Sequence, residues 1–546
     1  MKPLSVATAA CLPLALCLLP AAPALADPAR SAATDALTVA TFNASLNRDS
    51  PGQLLDDLAT SGNTQASNVA ETIQRVDPDI ILINEFDYDA NSAAVDLFRT
   101  NYLEVPHNGA APVSYPYAWS GPVNTGVPSG FDLDKDGTNN GPSDAWGFGK
   151  FPGQYGFVVY SKYPIKTDQI RTFQNFLWKD MPGALLPTNA DGSGWYSDEI
   201  LQRFPLSSKT HADLPVDVDG TTVHVLAAHP TPPSFDGPEQ RNKKRNFDEI
   251  RVWSDYVANR ADYLYDDNGV KGGLSTDANF VILGDYNSDP LDGDSYPGAI
   301  DQLLTSPRIV DTMPTSQGGP SEAKLQGGAN LKHKTDPKYD TGDFNDDPRP
   351  GNLRIDYVLP NTGTQVDEAQ VFWPTRDDEL FRLTGLHPFP TSDHRMVWTK
   401  LRFPAAEPPA PEQPNPGDQG QAGPSGAGKS TLMAMLAGSR QVRQTGEFGH
   451  ACRPSRHDRP HGGPGRRSPH RPASRAPSPG VAAITQRLGA GLIDPPRGVS
   501  HATRDSSRVS PPTGRLPQMH LCVHSGIAPI ARTQDEGRVT CRSGRK

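Results

Sequence analysis

Short apolar runs, separated by polar stretches containing glycine and proline, recur from Leu37 to Phe403 and then stop. Residues 37–42 (LTVATF) predict a strand ending at Asn43. A polar stretch compatible with helix, 65–76, leads into 79–84 (DIILIN), a largely apolar strand that delivers Glu85. The same pattern predicts strands at 155–160, 222–228, 279–283, 353–359 and 396–401, and a helix at 244–259. Buried strands alternating with helices mark an α/β class. Asn43, Glu85, His229, Asp285 with Asn287, Asp356, and Asp393 with His394 all fall at or just beyond strand ends. That is where α/β folds place their sites.

The pattern changes at both ends. Lys2 precedes an apolar run, 12–19, and the small-residue stretch 21–26 (AAPALA). This reads as a signal peptide over residues 1–26, cleaved before Asp27, and predicts a secreted protein. The run is too short, and too interrupted by proline, for a spanning helix of about 20 residues, so no membrane span is expected. Residues 404–424 form a Pro/Gly-rich linker, and 425–546 a basic, Arg/Pro/His/Ser-rich tail whose composition predicts disorder. Within 423–438, Gly423 to Ser430 (GPSGAGKS) fits a phosphate-cradling loop and resembles the Walker A segment of ATP-binding-cassette ATPases. With no strand before it and no acidic metal ligand after it, ATP binding by the tail is not expected.

Composition narrows the chemistry. The chain has five cysteines and none between Asp27 and Ala451, so the body has neither disulfides nor thiolate metal sites. Residues 411–546 hold 20 Lys and Arg against 8 Asp and Glu, a surplus of +12; with −10 for the whole chain, residues 1–410 carry −22. Such a body repels polyanions on average, which counts against tight, non-specific nucleic-acid binding. No G-x-S-x-G occurs, so a serine esterase lacks its nucleophile motif.

Each strand-end residue has an ordinary explanation when taken alone, since Asn forms turns and Glu opens helices. Their number and order carry the weight. Hydrolysis of a phosphoester requires hard oxygen ligands for a divalent cation, a carboxylate to activate water and donors for oxygens that gain charge.

The segments 41–43 (TFN), 83–85 (INE), 228–229 (AH), 284–287 (GDYN), 354–357 (RIDY) and 392–394 (SDH) resemble the endonuclease/exonuclease/phosphatase superfamily across residues 37–403. The resemblance implies a four-layer α/β sandwich, two packed mixed β-sheets flanked by helices. It implies Mg²⁺ or Mn²⁺ as cofactor, with Glu85 the principal ligand and Asn43 and Asp393 near the metal. It also implies Asp285 activating water, Asn287 holding a phosphate oxygen, and His394 contacting the phosphate with Asp356 as the candidate orienting carboxylate. His229 resembles the second histidine of the deoxyribonuclease-like branch. Two departures are Asn84, where glutamine is common, and Ser45, where some members carry a further aspartate.

Secondary features remain. Asp132, Asp134 and Asp136 in 132–140 (DLDKDGTNN) suit a structural Ca²⁺ loop, although Ser143 replaces the usual glutamate at position twelve. The loop would pin a long insertion, 105–153. Lys209 and His211 either face a phosphate or, as expected, lie at the surface, and Arg241, Lys243, Lys244 and Arg245 cover a helix start or touch an anionic substrate. The expected protein is a monomer acting on a phosphoester. An extracellular nuclease and an inactive binding protein of the same fold are the alternatives.

Overall fold

Residues 33–347 and 349–404 are described in a computed structural model. The signal peptide, the tail with its Walker A segment, and all of the linker but Pro404 lie outside them. Eleven strands form among the described residues: β1 (Leu37–Leu46), β2 (Ile80–Phe86), β3 (Tyr117–Ser120), β4 (Phe157–Ser161), β5 (Arg171–Thr172), β6 (Ala212–Val218), β7 (Thr221–Ala228), β8 (Asn279–Asp285), β9 (Asp356–Pro360), β10 (Gln365–Val371) and β11 (Val397–Arg402). They make two mixed sheets, ordered β10-β11-β1-β2-β4-β3 and β5-β6-β7-β8-β9.

Alternation along the central strands explains why the sheets stack. In β1, Leu37 and Val39 face one way while Ala40 and Phe42 face the other; in β8, Val281 and Leu283 oppose Phe280 and Ile282. One set from each sheet, including Ile80, Leu82, Val223, Val225 and Val358, closes a shared apolar layer between the sheets. The opposite set of the first sheet packs on Val69, Ala70 and Ile73 of the helix Thr64–Val76. That of the second packs on Ile250, Trp253 and Val257 of the helix Arg241–Val257. Helix, sheet, sheet, helix is the four-layer α/β sandwich expected.

Each sheet has a single parallel pair, β1 with β2 and β7 with β8, and its other pairs are antiparallel. This arithmetic of direction positions the site. The C-terminal ends of β1, β2, β7 and β8 share an edge with the N-terminal ends of β9 and β11, which run antiparallel to β8 and β1.

Several expected boundaries move. β1 does not stop at Asn43 but continues to Leu46 through a register shift between Asn43 and Leu46, with Ser45 left-handed at φ 48°. A bulge of this kind bends the strand and re-aims its side chains. β9 begins at Asp356 rather than 353, because Arg354 and Leu353 are spent on loop contacts with Asp289 and Gly342. The supposed insertion 105–153 contains β3, an edge strand of the first sheet. No helix among the described residues is long and apolar enough to cross a membrane.

Candidate active site

Five of the strand-end residues meet in one buried set of hydrogen bonds and close charged contacts. Asp285, at the end of β8 and 1% exposed, accepts from Asn43 Nδ2 at 3.1 Å and from the Asn287 backbone N–H at 2.9 Å. Its Oδ2 lies 3.4 Å from His229 Nε2 and 3.7 Å from His394 Nε2. On its far side, the His394 Nδ1 contacts Asp356 at 3.0 and 3.2 Å. Thr341 Oγ1 donates to Asp356 Oδ2 at 2.7 Å and accepts from the Asp356 N–H, locking that carboxylate in turn.

Local backbone geometry makes this convergence. Gly284 precedes Asp285 at φ 153°, and a Cβ there would lie 2.0 Å from the Ala228 carbonyl of the paired strand. Only glycine lets β7 and β8 stay parallel-paired to their last residues. Glu85 (φ 57°) and Asn287 (φ 52°) are also left-handed, as Ser45 is. Such backbone costs about 1–3 kcal/mol per residue and clusters at sites of function.

The remaining expected residues border this set. Asn287 donates its side chain to the Pro230 carbonyl at 3.2 Å, tying the β8 end to the loop of His229. Asn84 pairs in register with Asn43, which puts Glu85 one residue further along the same edge. Asp393 is half-buried and meets Ser45 Oγ at 3.4 Å. Asp132, Asp134 and Asp136 bring their carboxylates together on an exposed loop. That loop shares no hydrogen bond with the catalytic set among the described residues.

Charge states follow from surroundings. Burial pushes Asp285 up to about 7, with Asp356 adding to the rise while His394 and the Asn43 hydrogen bond oppose it. Burial also drives His229 well below the usual histidine range, helped by Lys209 and His394. For His394 burial acts downward too, but Asp356 and Asp285 outweigh it and hold the imidazole well above its ordinary value. The two histidines flanking Asp285 are therefore pushed in opposite directions, His229 towards its neutral form and His394 towards its charged one.

Lys209 and His211 correct the expectation of surface exposure. Lys209 is 5% exposed, and its ammonium makes no hydrogen bond or close ion pair among the described residues. Burial lowers its pKa against the pull of Glu249, Glu85 and Asp285. His211 is held between Ser207 Oγ at 2.8 Å and the Glu249 carbonyl at 2.9 Å. Arg245 is buried on the Pro205 and Leu206 carbonyls, so it covers structure and not substrate. Sequence reading also missed Thr341 and Ser392, whose Oγ accepts from the His394 N–H at 3.0 Å. Ser392 sits inside the S-D-H segment and was within reach; Thr341 carries no local signal.

The residues present also suit a divalent cation. Glu85 Oε2 is buried with no hydrogen-bond partner, an uncompensated hard oxygen one residue beyond the Asn43–Asn84 pair. Asp285, Asp356 and His394 offer ligand atoms within 4.8 Å of one another, close enough to share an ion.

Compared with models of known families, residues 40–394 match the endonuclease/exonuclease/phosphatase family. The chain belongs to that family. Members of the endonuclease/exonuclease/phosphatase family are metal-dependent phosphoester hydrolases. No curated protein matches the sequence. Among solved structures it is similar to an endonuclease/exonuclease/phosphatase from Beutenbergia cavernae DSM 12333, at 17% identity over 67% of this chain and 72% of that one, TM-score 0.37. It is also similar to a mannosyl-6-phosphatase from Bacteroides thetaiotaomicron VPI-5482, at 14% identity over 67% and 100%, TM-score 0.33. Sphingomyelinase C from Streptomyces griseocarneus matches at 15% identity over 67% and 99%, TM-score 0.32. Superpositions this loose carry no argument about substrate.

Proposed function

We propose that the chain is a secreted, divalent-metal-dependent phosphoesterase that hydrolyses a phosphomonoester or phosphodiester. The single observation behind this reading is Asp285, which is buried, oriented by Asn43 and the Asn287 N–H, and flanked by His229 and a His394 that Asp356 holds.

In this reading Glu85 is the principal ligand for Mg²⁺ or Mn²⁺, with Asn43 and Asp393 beside it. A cation held there would supply positive charge against the negative charge that develops during phosphoester hydrolysis. Asp285 orients a water molecule and takes its proton as the water oxygen bonds to phosphorus. The ester P–O bond breaks, its electron pair leaving with the alcohol oxygen. A group titrating near neutrality is well matched to that proton transfer. Protonated His394 donates from Nε2 to a phosphoryl oxygen, while Asp356 fixes its ring and balances its charge. The Asn287 amide and neutral His229 supply further polar contacts to the same oxygens.

The −22 charge of residues 1–410 favours a small or medium substrate over a nucleic-acid polymer. A histidine on either side of Asp285 favours the second reading, an extracellular nuclease. Plasmid DNA, a bis-aryl phosphodiester and an aryl phosphomonoester, each offered with Mg²⁺, Mn²⁺ or EDTA, separate the two. Metal-dependent cleavage that EDTA abolishes is expected. Inertness towards all three substrates with every divalent metal sinks the hydrolase reading and leaves a binding protein of the same fold. Asp285→Ala removes turnover while leaving the melting temperature nearly unchanged; a variant at wild-type rate refutes the assigned role.

A further inference from the structure

The helix Arg241–Val257 presents a polar, buried patch towards the site. Asn246 and Glu249 are both 0% exposed and lie three residues apart, on one side of the helix. Asn246 Nδ2 donates to the Thr231 carbonyl at 2.8 Å and the Tyr286 carbonyl at 2.9 Å. One Glu249 oxygen accepts from the Ser208 N–H and the other from the Thr231 N–H, both at 2.6 Å. Every segment held this way carries a group that faces the reaction centre. Lys209 follows Ser208, His229 lies two residues before Thr231, and Asp285 and Asn287 flank Tyr286.

We propose that Glu249, with Asn246, is a positioning residue that sets Lys209, His229 and Asp285 in fixed register with one another. The roles of those three groups rest on the phosphoesterase reading above; the clamp does not. A carboxylate suits this place because two N–H donors arrive from separate loops and each needs an acceptor. A glutamine supplies one acceptor oxygen, and an apolar residue of similar size supplies none, leaving two buried N–H groups unpaired. Burying a carboxylate is otherwise costly, so packing alone gives no reason for a glutamate in this layer. Glu249 is also the foremost counter-charge of Lys209, ahead of Glu85 and Asp285. Removing it loosens the loop and the charge balance of the lysine together.

The test compares wild type, Glu249→Gln, Glu249→Ala and Asn246→Ala as full-length chains. Amide hydrogen exchange is followed over 205–211 and 229–235, with strand 279–283 as control, alongside kcat and KM on whichever phosphoester the wild type cleaves. Faster exchange in the two loops is expected, graded from Gln to Ala at 249, with the control strand unchanged. In parallel kcat falls about 100-fold for Glu249→Ala and less for Glu249→Gln, while KM moves little. Asn246→Ala loosens 229–235 but leaves 205–211 protected. Wild-type exchange and turnover in both 249 variants overturn the proposal. Loss of protection throughout the molecule also overturns it, since that marks a purely structural residue. If the alanine variant fails to fold, the glutamine variant decides. If wild type cleaves no phosphoester, the hydrolase reading fails, and the exchange pattern alone judges the clamp.

Discussion

His394 contacts two carboxylates, and they do different work. Asp356 is satisfied by Thr341 and by its own position at the start of β9, so it is fixed before the histidine arrives. Asp285, buried and held by Asn43 and the Asn287 N–H, is the carboxylate assigned to the attacking water. Asp356→Asn keeps the shape but removes the charge that holds the imidazole protonated, and kcat is expected to drop by about 10²–10⁴. The melting temperature, read by calorimetry, should move far less than it does for a core truncation. His211 makes a separate prediction about stability. Burial lowers its pKa to about 4, Glu249 opposing, whereas the unfolded chain restores the ordinary value near 6.5. Below 6.5 the unfolded state therefore takes up a proton that the folded state refuses. Stability is complete above 6.5 and is lost as pH falls towards 4, at roughly 1.4 kcal/mol per pH unit. Urea midpoints between pH 4 and 7 should show a shallower slope for His211→Gln than for wild type.

Among the elements, the β7–β8 pair sets the tightest tolerance. Gly284 pairs with Ala228 across a parallel ladder, one residue before Asp285, and any side chain there meets the Ala228 carbonyl. Gly284→Ala should cost about 1–3 kcal/mol of stability in denaturant melts, with turnover reduced beyond the loss of folded protein. This element was legible from its residues: an apolar run, a glycine, then the site aspartate. So were β1, β2, β7 and the helix Arg241–Val257, all with strong apolar patterns. β5, with two residues, and β10, with glutamine, aspartate and glutamate among its seven, carry no such pattern and went unread. They sit at sheet edges, where burial imposes no pattern, as does the equally unread β3; the interior β6 went unread because Asp213, Pro215 and Asp217 interrupt its apolar positions. Lys209 and His211 misled for a related reason. Polar residue types signal exposure unless partners are known, and Glu249 lies 40 and 38 positions away in the chain. Pairwise contacts between distant segments leave no local trace.

For the whole molecule, the family and the four-layer architecture follow from ordered motifs, while the substrate does not, because those motifs carry the phosphoester chemistry and none of them reads the rest of the substrate. Residues 411–546 carry +12 and contain none of the assigned catalytic groups. A chain ending at residue 410 should retain full turnover on the substrate that the intact chain cleaves; a loss measured at equal folded concentration would give the tail a role in catalysis.

The division of the site between two sheets also has a kinetic consequence. Asn43 and His394 come from the first sheet, Asp285 and Asp356 from the second, and the Asn43–Asp285 contact that joins the sheets spans 242 positions. Neither sheet alone contains a working half. During refolding, helices and hairpins regain circular dichroism early, whereas contacts this remote in sequence form late. Turnover thus reports the docking of the two sheets, and its return should lag the return of secondary structure.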